Sequence, residues 1–321
     1  MNGFLNVVKP KGVTSHDVVL EVRHIFEERK VGHLGTLDPM AVGVLPIAVG
    51  AYTRLSEYLM NEDKEYLAEF TFGIATDTGD LDGRIISMED CSHLTCDQVT
   101  GLLPKFTGHI EQVPPAFSAV HLGGKRLYDL ARKGMDVHAP ARSVRVDHIE
   151  MLHWVDNTYP RAMLCMQVGS GTYIRGLARD LGDELGCGCV VSYLLRTRVG
   201  SFCLKDAVTL DSLRSRRFCN SESDLFADPK LVFSSFVFLA LKPETVRSIR
   251  HGVPLVVEDF LDPQEVLTVA RHYCGISCCR SPVLLCTLRQ SDIEQERIAC
   301  AVSLSFASDS SFQIEYEKVL L

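Results

Sequence analysis

Gly32-His33-Leu34-Gly35-Thr36-Leu37-Asp38-Pro39 sets one carboxylate and one imidazole among glycines and apolar residues, and closes on proline. The next residues, Met40-Ala41-Val42-Gly43-Val44-Leu45-Pro46-Ile47-Ala48, carry almost no polar side chains. An acid so placed sits on a tight, rigid turn beside buried structure, which is how a chain presents a single carboxylate in a desolvated pocket. Read alone, an Asp before Pro is most often a turn or capping residue. Three chemical roles compete with that reading. Metal binding is one, but no partner carboxylate or histidine cluster lies nearby. A general base is another, and a carboxylate working at a sugar carbon is the third.

The elements around this turn alternate between helix and strand. Residues 4–8 read as an apolar strand and Lys9-Pro10-Lys11-Gly12 as the turn after it. Residues 15–29 read as an amphipathic helix capped by Ser15, with Val18, Val19, Val22, Ile25 and Phe26 on one face. Residues 66–74 alternate well enough for a strand, and residues 76–83 form a polar loop without the closing glutamate of a calcium loop. Residues 163–168 read as a strand that enters Gly169-Ser170-Gly171-Thr172-Tyr173-Ile174-Arg175 and then a helix carrying Leu177, Ala178, Leu181 and Leu185. The glycines there lack the lysine of a phosphate-binding loop. Polar residues between 212 and 235 read as a linker. Beyond it lies a small, mostly β module: a helix at 244–251, then strands near 253–257, 283–288, 300–306 and 312–316.

The chain has 321 residues, long for one core and comfortable for two, and 46% of them are hydrophobic. A formal net charge of -8 excludes a generally basic nucleic-acid coat, so any such surface is local. One local candidate exists. Between residues 116 and 145, Lys125, Arg126, Arg132, Lys133, Arg142 and Arg145 face only Asp129 and Asp136, a charge of +4. Such a patch positions an RNA without reading its bases, and a solvated helix face explains the same charges equally well. No apolar run reaches the roughly 18 residues of a membrane span, and the first residues lack the order of a signal peptide. A soluble cytoplasmic protein is expected, and its 12 cysteines are read as reduced, mostly buried thiols. Cys274, Cys278, Cys279 and Cys286, with His272, do not have zinc-knuckle spacing, so no metal is expected.

Several motifs taken together resemble the TruB family, the bacterial tRNA pseudouridine-55 synthases. They are Gly32 to Pro46, Lys9-Pro10-Lys11-Gly12-Val13-Thr14-Ser15, Asp63-Lys64-Glu65-Tyr66, Val113-Pro114-Pro115-Ala116-Phe117-Ser118-Ala119-Val120, Gly124-Lys125-Arg126-Leu127-Tyr128 and Gly171-Thr172-Tyr173-Ile174-Arg175, all in the family's order. The resemblance covers about residues 1–205. It implies a mixed α/β (α+β) pseudouridine synthase fold on a central, largely antiparallel sheet. A catalytic domain over 1–215 would carry a basic, thumb-like insertion at 114–142, and residues 235–321 would form a divergent, PUA-like module. The implied reaction isomerises uridine 55 in the tRNA T loop. The N1–C1′ bond breaks, the base turns, and C5 joins C1′, with no cofactor.

By the same resemblance, Asp38 is the catalytic aspartate, either attacking C1′ or removing the 2′ proton. Tyr66 stacks on the flipped base, Tyr173 is a proton-transfer group near C5, and Arg175 pairs with the aspartate. Leu194 lines the uracil pocket and His33 contacts the T loop. Lys9 and Lys64 lie near the cleft in phosphate-contacting or structural roles. Lys125, Arg126, Arg132 and Lys133 face the RNA. The implied partner is the tRNA T-arm, with no membrane, no obligate protein partner and a monomeric state. An alternative is a tRNA-binding folding chaperone with dispensable catalysis. Two departures stand out. Val168-Gly169-Ser170-Gly171 lacks the lysine common before Thr-Tyr-Ile-Arg, and Leu194-Leu195-Arg196-Thr197 replaces Leu-Arg-Arg-Thr. Residues 220–321 carry a charge of -5, which is poor for binding phosphates.

Overall fold

The computed structural model describes residues 1–118, 121–122, 124–128, 135, 139–218, 225–274, 283–289, 296–306 and 312–321. Its centre is a nine-stranded sheet. Across it run Gly3–Lys9, Val42–Val49, Cys189–Val199, Lys64–Phe72, Arg161–Val168, Arg142–Val155 and Gly108–Gln112. Val31–His33 pairs with Val42–Val49, and Phe202–Cys203 with Cys189–Val199. Every pair is antiparallel except one, where Leu195 and Arg196 lie beside Val42 and Gly43 in parallel. Gly43 is required at that crossing. Its φ is +116°, and a Cβ there would lie 2.3 Å from the Arg196 carbonyl oxygen.

The strand Lys64–Phe72 shows why the sheet has a dry side. Tyr66, Ala68, Phe70 and Phe72 are buried in one core cluster with Val18, Val22 and Phe26 of the helix Ser15–Phe26 and with Ile174, Leu177 and Leu181 of the helix Ile174–Glu184. Each such fully buried large apolar side chain contributes about 1.5–3 kcal/mol. The alternate residues Glu65 and Glu69 pair instead with Arg198 at 3.1 Å and Arg161 at 3.3 Å on the wetter face. Both helices and the Asp38 turn therefore share the dry side.

The helix Ser15–Phe26 is capped by Thr14 rather than Ser15. Thr14 Oγ1 accepts the Asp17 N–H at 3.1 Å, and Asp17 Oδ2 accepts the Thr14 N–H at 2.8 Å. The helix stops at Phe26 because Glu27 turns left-handed, φ +51°.

Other sequence expectations also shift. Residues 210–218 form a helix, Leu210–Phe218, where a linker is expected, because Leu213 is fully buried, Leu210 packs against the same core and Arg214 bonds Glu21 at 2.9 Å. Four strands, Val237–Ala240, Val283–Arg289, Glu296–Phe306 and Phe312–Val319, form a second sheet. The residues near 253–257 are not a strand. A helix, Pro263–Cys274, packs on this sheet through Val266 and Ala270. Asp262 starts it by accepting the Gln264 and Glu265 N–H groups.

A third cluster joins Phe4, Val44 and Ala48 on the other face of the first strands to Phe233, Leu285 and Ala301. Among the described residues, no helix is long and apolar enough to cross a membrane. Cys91, Cys96, Cys165, Cys187, Cys189, Cys203, Cys286 and Cys300 are free thiols, and among the described residues no group of three or more His, Cys, Asp or Glu side chains is arranged to hold a metal ion. Cys278 and Cys279 lie outside the described residues.

Candidate active site

The Asp38 turn is held from three sides through its backbone, which leaves its carboxylate to point elsewhere. From the sheet, Arg196 donates to the carbonyls of Val44 (2.8 Å), Thr36 (3.1 Å) and Gly35 (3.1 Å). From the helix, Ser15 Oγ accepts the Leu37 N–H at 2.8 Å and donates to the Leu37 carbonyl at 3.0 Å. From the Lys9–Gly12 turn, Lys9 Nζ and the Gly12 N–H donate to the Pro39 carbonyl at 3.2 and 2.8 Å. The Ala41 N–H closes the turn on the Asp38 carbonyl at 3.1 Å.

Against this fixed carboxylate lies Arg175, in the first turn of the helix Ile174–Glu184. Its Nε donates to Asp38 Oδ2 at 2.8 Å and an Nη to Oδ1 at 2.9 Å, the bidentate geometry that gives both strength and orientation. The other guanidinium bonds go to the Thr78 and Phe117 carbonyls, at 2.8 and 3.0 Å. Asp80 Oδ2 stands 3.7 Å away on the second side, while its Oδ1 accepts from Thr78 Oγ1 and the Asp82 N–H. The polar loop of residues 76–83 thus supplies a second acid to the same arginine. The Arg175 side chain is 5% exposed and that of Asp38 31%. A buried cation is therefore matched with an acid that solvent or substrate can reach.

The rest of the expected set falls into three groups. Tyr66 and Leu194 are buried in the cluster that also holds Leu37, Met40 and Ile174, and Tyr66 lies in register with Arg196 on the next strand. Tyr173 immediately precedes the Arg175 helix, and burial pushes its phenol above the ordinary value. Of these, Tyr173 lies near enough for the Asp38 charge to act on it, and Tyr66 stands beside Arg196, which holds the Asp38 turn.

Lys9 and Lys64 turn inward. Lys9 Nζ donates to the carbonyls of Pro10, Val13 and Pro39, and Lys64 Nζ to those of Met60 and Glu62. Burial pushes each amine down to about 8. The Arg196 charge pushes both the same way, and for Lys9 the Asp38 carboxylate opposes it. Neither offers its ammonium outward.

His33 is half-buried at the end of Val31–His33. Lys125 and Arg126 lie in a short strand paired with His121–Leu122, while Arg132 and Lys133 fall outside the described residues. Within the basic stretch, Arg145 pairs with Asp63 and with Asp147. An apolar groove of about 930 Å³, lined by Leu103, Ile149, Met151 and Trp154, involves none of these residues.

Sequence reasoning missed Arg196, Gln112 and Asp80 as members of the site. Arg196 is 1% exposed, two residues after the buried Leu194 on the same strand. Gln112 is also 1% exposed and bonds the Tyr173 backbone.

This sheet, with its acid turn and arginine helix on one face, is a pseudouridine synthase fold. The fold is shared with a chain from an H/ACA ribonucleoprotein bound to a substrate RNA containing 2′-deoxyuridine. That match has a TM-score of 0.68 at 23% identity, covering 99% of this chain and 85% of the other. The family model for the N-terminal domain of the TruB family pseudouridylate synthases matches residues 23–174, and that for the C-terminal domain of tRNA pseudouridylate synthase B matches residues 175–227. The tRNA pseudouridine synthase B of Moorella thermoacetica is 44% identical over 254 residues, 79% of this chain and 83% of the relative. That of Microcystis aeruginosa is 44% identical over 259 residues, 81% and 86%. The chain belongs to the TruB pseudouridylate synthase family.

Proposed function

We propose that this protein converts uridine 55 in the T loop of tRNA to pseudouridine, with no cofactor. The observation that carries this reading is the two-point Asp38–Arg175 pair, with Arg175 buried and Asp38 partly open to the outside. The target base leaves its stack, because the ribose carbon is otherwise out of reach. Tyr66 then supports its face and Leu194 its edge. Asp38, oriented by Arg175, attacks C1′ or removes the 2′ proton, and the N1–C1′ bond breaks. The detached uracil turns inside the closed pocket and C5 bonds C1′; on the first route this breaks the Asp38–C1′ ester bond, and on the second Asp38 returns its proton to C2′. The C5 proton leaves through Tyr173 and N1 regains a proton, so the product is an isomer of the substrate.

His33 contacts the T loop, while Lys9 and Lys64 brace the cleft. The insertion at 114–142, with Lys125, Arg126, Arg132 and Lys133, grips the RNA backbone. Residues 1–215 form the catalytic domain. Residues 235–321 form a PUA-like module whose charge of -3 limits its role on phosphates. The protein acts as a cytoplasmic monomer without an obligate protein partner.

Incubation with unmodified tRNA, followed by carbodiimide mapping of pseudouridine, tests this. One new modification at position 55 is expected, also on a free T-arm hairpin. No product from the wild-type protein overturns the proposal.

A further inference from the structure

Gln112 is the last residue of the strand Gly108–Gln112 and stands in register with Arg142, the first of Arg142–Val155. The two residues are therefore the neck from which the whole 113–141 insertion leaves the sheet. The Gln112 side chain does not follow the insertion outward. It turns in, 1% exposed, and makes two bonds to one residue. Its Oε1 accepts the Tyr173 N–H at 2.8 Å, and its Nε2 donates to the Tyr173 carbonyl at 3.0 Å.

Tyr173 caps the helix Ile174–Glu184 without a side-chain capping bond of its own, and its carbonyl also accepts the Leu177 N–H at 3.1 Å. Gln112 thus fixes the start of that helix from outside. The helix makes room for it: a Cβ on Gly176 would lie 2.7 Å from Gln112 Nε2 and 2.9 Å from its Cδ. Further along the neck, the Val113 carbonyl accepts from Arg179 at 3.1 Å and the Phe117 carbonyl from Arg175 at 3.0 Å.

We infer that Gln112 is a positioning residue, one that ties the neck of the RNA-gripping insertion to Tyr173 and, two residues on, to the arginine that orients Asp38. The inference rests on the proposed pseudouridine synthase activity and adds to it a residue that touches neither substrate nor the reacting atoms. The Gln112 amide meets both the N–H and the carbonyl of Tyr173 away from solvent, so a change at either side moves the backbone that leads into Arg175. An acid and a base half-misplaced still bind RNA; they lose rate.

Single-turnover pseudouridine formation with enzyme in excess reads the rate constant independently of the folded fraction, and filter binding reads tRNA affinity. Gln112→Leu removes both bonds at similar volume. Its rate constant is expected to fall about 10- to 100-fold, the scale of a sub-ångström to ångström misplacement, with affinity unchanged. Gly176→Ala improves helix propensity and yet displaces the amide, so it is expected to slow the reaction in the wild type. In a Gln112→Ala background it is expected to have no further effect, because the clash is gone. A Gln112→Leu rate constant within about twofold of wild type, or equal slowing by Gly176→Ala in both backgrounds, overturns the inference. Failure of the wild type to form pseudouridine overturns the function instead.

Discussion

Arg175 holds Asp38 by both carboxylate oxygens, at 2.8 and 2.9 Å, while Thr78, Phe117 and Asp80 surround the rest of its guanidinium. The arginine is buried and the aspartate is not. The pair therefore differs from a structural salt bridge in one respect: its acid faces outward with its oxygens already oriented, and its cation has no freedom left to follow another partner.

Asp38→Asn keeps the shape and one acceptor but removes the charge. Pseudouridine formation should fall on the order of 10³-fold or more, about 4 kcal/mol of barrier, with tRNA binding within a few-fold. Arg175→Lys keeps the charge but cannot reproduce the fork, so it should slow the reaction by about 100-fold. Carbodiimide mapping over time measures both. Full activity in Asp38→Asn refutes its assignment as the reacting acid.

Arg196 is the second buried cation, and it acts on the turn rather than on the acid. Arg196→Met leaves the carbonyls of Gly35, Thr36 and Val44 without this donor. A stability loss of about 3 kcal/mol is expected from urea unfolding, because buried carbonyls lose a charged partner. In the fraction that remains folded, the single-turnover rate should also drop, since the Asp38 turn has lost one of its three anchors. A variant as stable as the wild type would show that water replaces the guanidinium.

Three strands of the catalytic sheet, at residues 4–8, 66–72 and 163–168, and the Asp38 turn were legible because their patterns are local: alternation in residues 66–72, and glycine and proline around one acid. What joins them was not. Arg196 bonds carbonyls some 160 positions earlier in the chain, and Gln112 bonds a backbone 61 positions later. A side chain that satisfies a distant main chain leaves no periodic trace in sequence. Lys9 and Lys64 read as cations near a cleft, whereas only the folded chain shows their amines spent on backbone carbonyls. The helix Pro263–Cys274 does carry a trace, with Val266, Val269, Ala270 and Tyr273 at helical spacing, but the surrounding strands hid it.

The insertion makes a prediction that is independent of the chemistry. Lys125, Arg126, Arg132 and Lys133, all replaced by Ala, should weaken tRNA binding and make the log–log salt slope shallower by about three units, close to one released counterion per lost contact. Fluorescence anisotropy over a potassium chloride series measures the slope. The single-turnover rate at saturating enzyme should stay within a few-fold. An unchanged slope places these residues off the RNA.

Lys9 makes the stability of the fold depend on pH in an uncommon direction. Burial pushes its amine down to about 8 in the folded chain, whereas an unfolded lysine titrates near about 10.4. Between those values the unfolded state holds more protons, so the stability contributed by Lys9 is smallest below about pH 8 and grows as pH rises to about 10.4. The slope is at most about 1.4 kcal/mol per pH unit. Lys9→Met abolishes this titration and leaves the Pro10, Val13 and Pro39 carbonyls without the ammonium at every pH. The variant is therefore less stable throughout, and its deficit against the wild type should widen between about pH 7.5 and 9.5. Tyrosines and cysteines that titrate in the same window do so in both proteins and cancel in the difference. Urea unfolding of the two proteins at both pH values measures it. A deficit that stays constant would mean that the three carbonyls keep the amine fully charged, and that desolvation is outweighed by its hydrogen bonds.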